Sequence, residues 1–162
     1  IIAIWKRPMV RLSDLPDYEA KHLSEKVCIP FPTEPWVTGP PLKERRVAMI
    51  TTAGIHLAGE QSFGFHDTAF RVIPGDVAAG DMVMTHSSVN FDRTGFQQDL
   101  NVAFPIDRLH ELAEAGEIGS VAEFHYGFMG AGSIPTSFEP TAREVAGLLK
   151  KDAVDAVMLI PI

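Results

Sequence analysis

The chain of 162 residues holds one cysteine, Cys28. A lone thiol excludes an internal disulfide and fits a reducing compartment, so a cytoplasmic location is expected. Basic residues are in the minority: 14 Lys and Arg stand against 21 Asp and Glu, for a formal net charge of −7. Such a balance lacks the basic footprint of nucleic-acid binding. No window approaches about 18 consecutive apolar residues, the length a membrane-spanning helix needs. The opening I-I-A-I-W-K-R-P-M-V-R-L places its charges after the apolar residues, the reverse of a secretory signal. Familiar chemical signatures are missing too. There is no G-x-G-x-x-G for a dinucleotide, no H-E-x-x-H for zinc and no G-x-S-x-G for a serine nucleophile. No internal repeat or low-complexity tract is present.

What remains reads as one α/β domain behind an N-terminal segment, with boundaries at 1–42 and 43–162. Asp14-Leu15-Pro16 is suited to open a short helix through Leu23. Residues 28–42 carry five prolines, Pro30, Pro32, Pro35, Pro40 and Pro41, which forbid a helix or a central strand. They are expected to form an extended arm anchored by Phe31 and Trp36, either on this domain or on a second copy. Val47–Thr52, Met82–Thr85, Val121–Tyr126 and Ala156–Ile160 are short apolar runs with little alternation. That pattern suits strands of a parallel sheet covered on both faces. Phe70–Ile73 reads as an edge strand and 59–70 as an irregular loop. Helices are expected over 105–115, ended by Gly116, and over 141–151, opened by a Thr141-x-x-Glu144 capping box. The predicted fold is an open, mainly parallel sheet with flanking helices and the proline-rich arm.

Between His86 and Asn101 the pattern breaks. His86, Asn90, Asp92, Arg93, Asp99 and Asn101 crowd together with neither helical nor strand period. They follow a predicted strand, and in open α/β sheets the loops beyond strand C-terminal ends hold ligands. Two other strand ends carry polar or glycine-rich loops: Thr51-Thr52-Ala53-Gly54-Ile55-His56 and His125–Ser133. In a parallel sheet the three can converge. Thr51, Thr52 and the glycine-rich loop can offer hydroxyls and N–H groups to an anion. His86 and Asp92 are the candidates for proton transfer, and Thr52, His56, Asp99 and Asn101 for substrate binding. Each has a structural alternative. A histidine at a strand end can be a hydrogen-bonded part of the scaffold, and Asp99 and Asn101 can cap the backbone that leads into the helix. A zinc or iron site from His56, His86, Asp92 and Asp99 is chemically possible, although no ligand spacing supports it.

Three stretches carry a family resemblance: T-T-A-G-I-H-L at 51–57, F-R-V-I-P-G-D at 70–76, and M-T-H-S-S-V-N-F-D-R-T-G-F-Q-Q-D-L-N-V-A-F-P-I-D-R-L at 84–109. The following I-G-S-V-A-E-F-H-Y-G-F-M-G at 118–130 extends it. Together they resemble the selenoprotein B family, the substrate-specific subunits of glycine, sarcosine, betaine and D-proline reductases. The resemblance implies reductive cleavage of a C–N bond next to a carboxylate, with a selenocysteine or cysteine as nucleophile. It places that residue directly after the strand matching 157–162, where this sequence stops. A continuation carrying the nucleophile is therefore expected, with no other cofactor in this chain. The implied partners are a small-molecule substrate, other reductase subunits or a thiol electron donor, and a further copy of the chain in a homo-oligomer. Two competing classes stand beside this reading. One is a metal-dependent hydrolase or lyase on the same histidines and aspartates. The other is a binding subunit without chemistry of its own.

Overall fold

A computed structural model describes residues 11–25, 30, 32, 34, 36–88 and 93–162. The chain divides into two compact units between Thr38 and Gly39. The first contains helix α1 (Asp17–Ser24), which starts after Pro16 and carries Asp17 and Glu19 in its first turn, where carboxylates suit the positive helix end. None of its residues is buried. Trp36 is 90 % exposed. The expected Trp36 anchor is not formed within this unit. Cys28 and Phe31 lie outside the described residues.

The second unit is built on β1 (Arg46–Thr51), whose Val47, Ala48 and Met49 are buried. On one side β1 pairs in parallel with β5 (Ser120–Val121) and then β6 (Phe124–Gly127). On the other it pairs in parallel with β7 (Ala156–Ile160), from Val47 opposite Ala156 to Thr51 opposite Ile160. β3 (Arg71–Pro74) closes the far side, antiparallel to β6. The sheet is mainly parallel, as the apolar runs imply, with one antiparallel edge.

Two expectations about strands are corrected. Met82–Met84, here β4, does not join the sheet. It pairs antiparallel with β2 (Ile55–Leu57) as a separate ribbon. The turn at Gly54 takes β2 out of line with β1, and the ribbon is closed where the Thr85 amide donates to the Gly54 carbonyl at 2.9 Å. A three-residue apolar run carries no signal of direction. The strand expected over 121–126 is split into β5 and β6. Asp152 supplies the reason: its carboxylate accepts the amides of Glu123 (2.7 Å) and Phe124 (3.4 Å).

Helix α2 (Thr94–Gln98) is a short turn before α3 (Ile106–Glu114). Pro105 precedes α3, Ile106 and Leu109 bury its apolar stripe, and Gly116 follows its end at φ 72°. Helix α4 (Glu139–Lys151) starts earlier than the capping box implies. Pro140 lies in its first turn, a position where a missing N–H costs nothing. Thr141 is thus already helical, and its hydroxyl donates to the carbonyls of Thr68 (2.9 Å) and Phe138 (3.0 Å), so the expected box is not formed.

The period of two along β1 sorts the core into two layers. Val47 and Met49 pack with Ile73, Phe104, Ile106 and Leu109 on the α3 face. Ile50 packs with Tyr126, Phe128 and Val145 on the α4 face. No helix among the described residues is long and apolar enough to cross a membrane.

Candidate functional site

The C-terminal end of β1 is the point where four segments meet. The Phe128 amide donates to the Thr51 carbonyl and the Gly54 amide to the Phe128 carbonyl, each at 2.8 Å, which ties the turn after β1 to the loop after β6. The Ile162 amide donates to Thr52 Oγ1 at 2.9 Å, which brings in the segment after β7. The loop after β4 arrives at Gly54. A Cβ on Gly54 would stand 2.9 Å from the His86 amide nitrogen, and the residue has φ +65°. Gly130, at φ +75°, lies against Thr52 in the same way. Only glycine combines that backbone conformation with so close an approach. The Ser87 hydroxyl completes the meeting with a 3.7 Å contact to Met129 Sδ. The three loops after 52, 85 and 128 therefore come together, although β4 reaches the place from its own ribbon.

His86 is buried at this junction. Its Nδ1 accepts the Ser88 amide at 3.2 Å, so the neutral ring carries its hydrogen on Nε2. Burial holds its pKa below the usual histidine value, and the positive charge of Arg93 adds to the effect. The ring is thus neutral near pH 7, a form whose Nε2–H is suited to donate a hydrogen bond. Arg93 anchors the loop by donating to the main-chain oxygen of His86 and, at 3.4 Å, of Ser88. The sequence placed Arg93 in the polar crowd without a role. Its spacing of seven from His86 is too long for any local motif to show it. Asp92 lies outside the described residues.

The other candidates stand elsewhere or are otherwise engaged. Thr52 is at the junction and also lines a groove of about 490 Å³ on the α4 face. His56 sits inside β2, opposite Val83, and is not at the end of a sheet strand. His56 thus lies within the ribbon and His86 in the loop after its other strand, rather than both projecting from two parallel strands. His56 is buried, its Nδ1 donates to the Leu57 carbonyl at 2.8 Å, and its ring meets Phe63 edge-on at 5.9 Å. Asp99 accepts the Asn101 amide and its side-chain Nδ2, both at 2.9 Å. Asn101 also donates to Asp107 Oδ2 (2.8 Å) and accepts the Asp107 amide (3.1 Å), so this exposed trio fixes the start of α3. The side-chain hydrogen bond from Asn101, then its backbone bond, lower the Asp99 pKa. Among the described residues no three His, Cys, Asp or Glu side chains gather to hold a metal ion.

With this geometry in view, the chain can be set beside known proteins. The sequence profile described as "Glycine/sarcosine/betaine reductase selenoprotein B" matches residues 40–161. The chain belongs to the selenoprotein B family. It is 39 % identical over 144 residues to D-proline reductase subunit gamma of Acetoanaerobium sticklandii, covering 86 % of this chain and 58 % of that protein. It is 30 % identical over 129 residues to glycine reductase complex component B subunit gamma of Symbiobacterium thermophilum, covering 74 % of this chain and 30 % of that one. Against betaine reductase complex component B subunit beta of Peptoclostridium acidaminophilum the figures are 28 % over 128 residues, 73 % and 28 %. The chain thus spans little more than half the length of the first relative and under a third of the other two. No solved structure matches it. The selenoprotein B match takes in every strand of the second unit and the junction up to residue 161, one short of Ile162.

Proposed function

We propose that this chain is the substrate-holding part of a reductase subunit that cleaves a C–N bond of a small amino acid or amine-bearing acid. D-Proline, glycine and betaine, after which the relatives are named, are the substrates to try first. The observation that carries the reading is the junction itself: in a chain of this family, loops from the ends of β1, β6 and β7 meet the loop after β4. In an open α/β sheet this is where ligands bind. Gly130 and Gly132, both at positive φ, suit a loop that turns N–H groups toward a carboxylate, with Thr52 beside them.

The nucleophile, a selenocysteine or cysteine, lies on polypeptide outside these residues. It attacks the carbon bearing the nitrogen and the C–N bond breaks. A dithiol then supplies two electrons: carbon gains a hydrogen, the amine leaves with its proton, and the dithiol becomes a disulfide. His86, with Asp92, manages the proton that passes from the thiol or selenol to the leaving amine. His56, Asp99 and Asn101 serve by fixing the ribbon and the start of α3.

The test is an assay of the complete subunit in its complex, supplied with dithiothreitol and each of the three substrates in turn. The expected result is substrate-dependent oxidation of one dithiol per C–N bond cleaved. A folded, complete complex that oxidises no dithiol with any small amino acid or betaine contradicts the reading.

A further inference from the structure

β7 is a parallel strand left open along one edge and over its α4 face, while Ala156 and Ile160 pack on the core of the other face. One of its edges pairs with β1, and among the described residues no strand occupies the other. Val157 is 38 % exposed, Met158 41 % and Leu159 70 %. Parallel strands are normally covered on both faces, and lone edges are normally guarded by charge. β7 reads A-V-M-L-I and carries no charge at all. The exposure is not random. Val157 and Leu159 fall on the α4 face, where with Phe138, Ala142, Val145 and Leu149 they line the groove of about 490 Å³.

The direction of the chain says what fits there. From β6 it passes through α4 to β7, with β1 lying between the two strands. Crossovers between parallel strands are right-handed in about 98 % of cases. If the sheet grows past β7 in the same direction, the next helix falls on the α4 face, beside α4. That is where the groove is open. A second copy of this chain meeting β7 edge to edge would cover the edge and leave the groove bare. A helix followed by a strand covers both.

We propose that the α4–β7 groove and the free edge of β7 receive an amphipathic helix and a further parallel strand from polypeptide that continues this chain, extending the sheet. The proposal rests on the reading above only for the claim that such polypeptide exists. The relatives' lengths leave room for it: more than two fifths of the D-proline reductase subunit lies outside the span this chain covers. A crossover unit needs roughly 30 residues.

The experiment compares two proteins by hydrogen exchange and mass spectrometry. One is the 162-residue chain. The other is the same chain extended by the codons that follow it in its own gene, with any in-frame UGA read as cysteine. Backbone amides of 156–160 are expected to exchange roughly tenfold more slowly, or slower still, in the extended protein. Leu159→Lys is expected to lower the melting temperature of the extended protein and leave that of the 162-residue chain unchanged, because Leu159 there is mostly in water. Equal exchange of β7 in both proteins overturns the proposal. So does protection of β7 in the 162-residue chain through a dimer seen by ultracentrifugation, or a stop codon directly after Ile162. The nucleophile is tested separately. An extension that protects β7 but holds no cysteine or UGA leaves the docking intact and removes the reductase reading. One that holds the nucleophile but leaves β7 exposed does the opposite.

Discussion

Gly130 lies so close to Thr52 that a Cβ on the glycine would stand 2.6 Å from the threonine Cβ and 3.0 Å from its carbonyl oxygen. This contact joins the loop after β6 to the end of β1. Gly130→Ala adds the clash to the strain of a positive φ and is expected to cost about 2–4 kcal/mol in urea unfolding. Thr52→Val keeps the volume and removes the hydroxyl's bonds to Ile162, from its amide at 2.9 Å and to its carbonyl at 3.4 Å, a loss of about 1 kcal/mol. Equal stability of Gly130→Ala and the parent chain would show that the loops do not meet as described.

His125 gives the protein an acid-sensitive core. The ring is fully buried, its Nδ1 accepts the Met49 amide at 2.9 Å, and Phe104 meets it edge-on at 5.6 Å. Burial, followed by the charge of His110, pushes its pKa down to about 4. The folded value is depressed, so the stability it represents is complete above the unfolded value near 6.5. It is lost as the pH falls toward 4, by about 3 kcal/mol in all. His125→Asn retains an acceptor for Met49 and is expected to flatten the stability profile between pH 6.5 and 4. A slope unchanged in that variant would assign the effect to another group.

Arg46 and Asp152 tie the base of the sheet together, and their contribution titrates at lower pH than that of His125. The guanidinium donates to the Asp152 carboxylate, to the Asp152 carbonyl (2.7 Å) and to the Val121 carbonyl (2.9 Å). Desolvation alone would raise the Asp152 pKa. The hydrogen bond from Arg46, the amides of Glu123 and Phe124, and the Arg46 charge outweigh it and hold the pKa below its usual value. This contribution is present above about pH 4 and disappears as the pH falls further. Asp152→Asn is expected to cost about 1–3 kcal/mol, less than a fully buried pair because Arg46 keeps some contact with water. Thermal melts at pH 7 and pH 3 check it: the difference between variant and parent should shrink at pH 3.

Ala153 follows α4 at φ 52°, a left-handed conformation that an L side chain resists. Ala153→Gly is expected to stabilise the protein by about 0.5–1 kcal/mol, the strain relieved exceeding the entropy added to the unfolded chain. A loss of stability would mean that the alanine methyl makes a contact worth more than the strain.

The parts of the fold that the sequence made legible are those whose signal is local. β7 matches its apolar run of 156–160. β1 and α3 begin within about one residue of their expected starts, a normal margin for element ends. The errors arose where distant residues decide the structure. Asp152 breaks the strand at 123 and 124 from about 30 residues away. β4 finds its partner in a three-residue strand hidden inside T-T-A-G-I-H-L. At the site, the meeting of the loops after β1 and β6 followed from the order of elements, because parallel strands put their C-terminal ends on one edge, whereas the loop after β4 joins them from outside the sheet. The use of each side chain did not. Asp99 and Asn101 show a polar cluster whose groups bind one another, which composition cannot distinguish from a cluster awaiting a ligand.

His86 is the residue on which the account turns. The decisive measurement is turnover of the complete reductase complex carrying His86→Ala, beside Asp99→Ala as the variant of an exposed cap. The account predicts that His86→Ala lowers kcat/KM by about 10²–10⁴-fold with little change in melting temperature, and that Asp99→Ala leaves turnover near the parent value. Unaltered turnover in His86→Ala, in a complex that is folded and active, would contradict it.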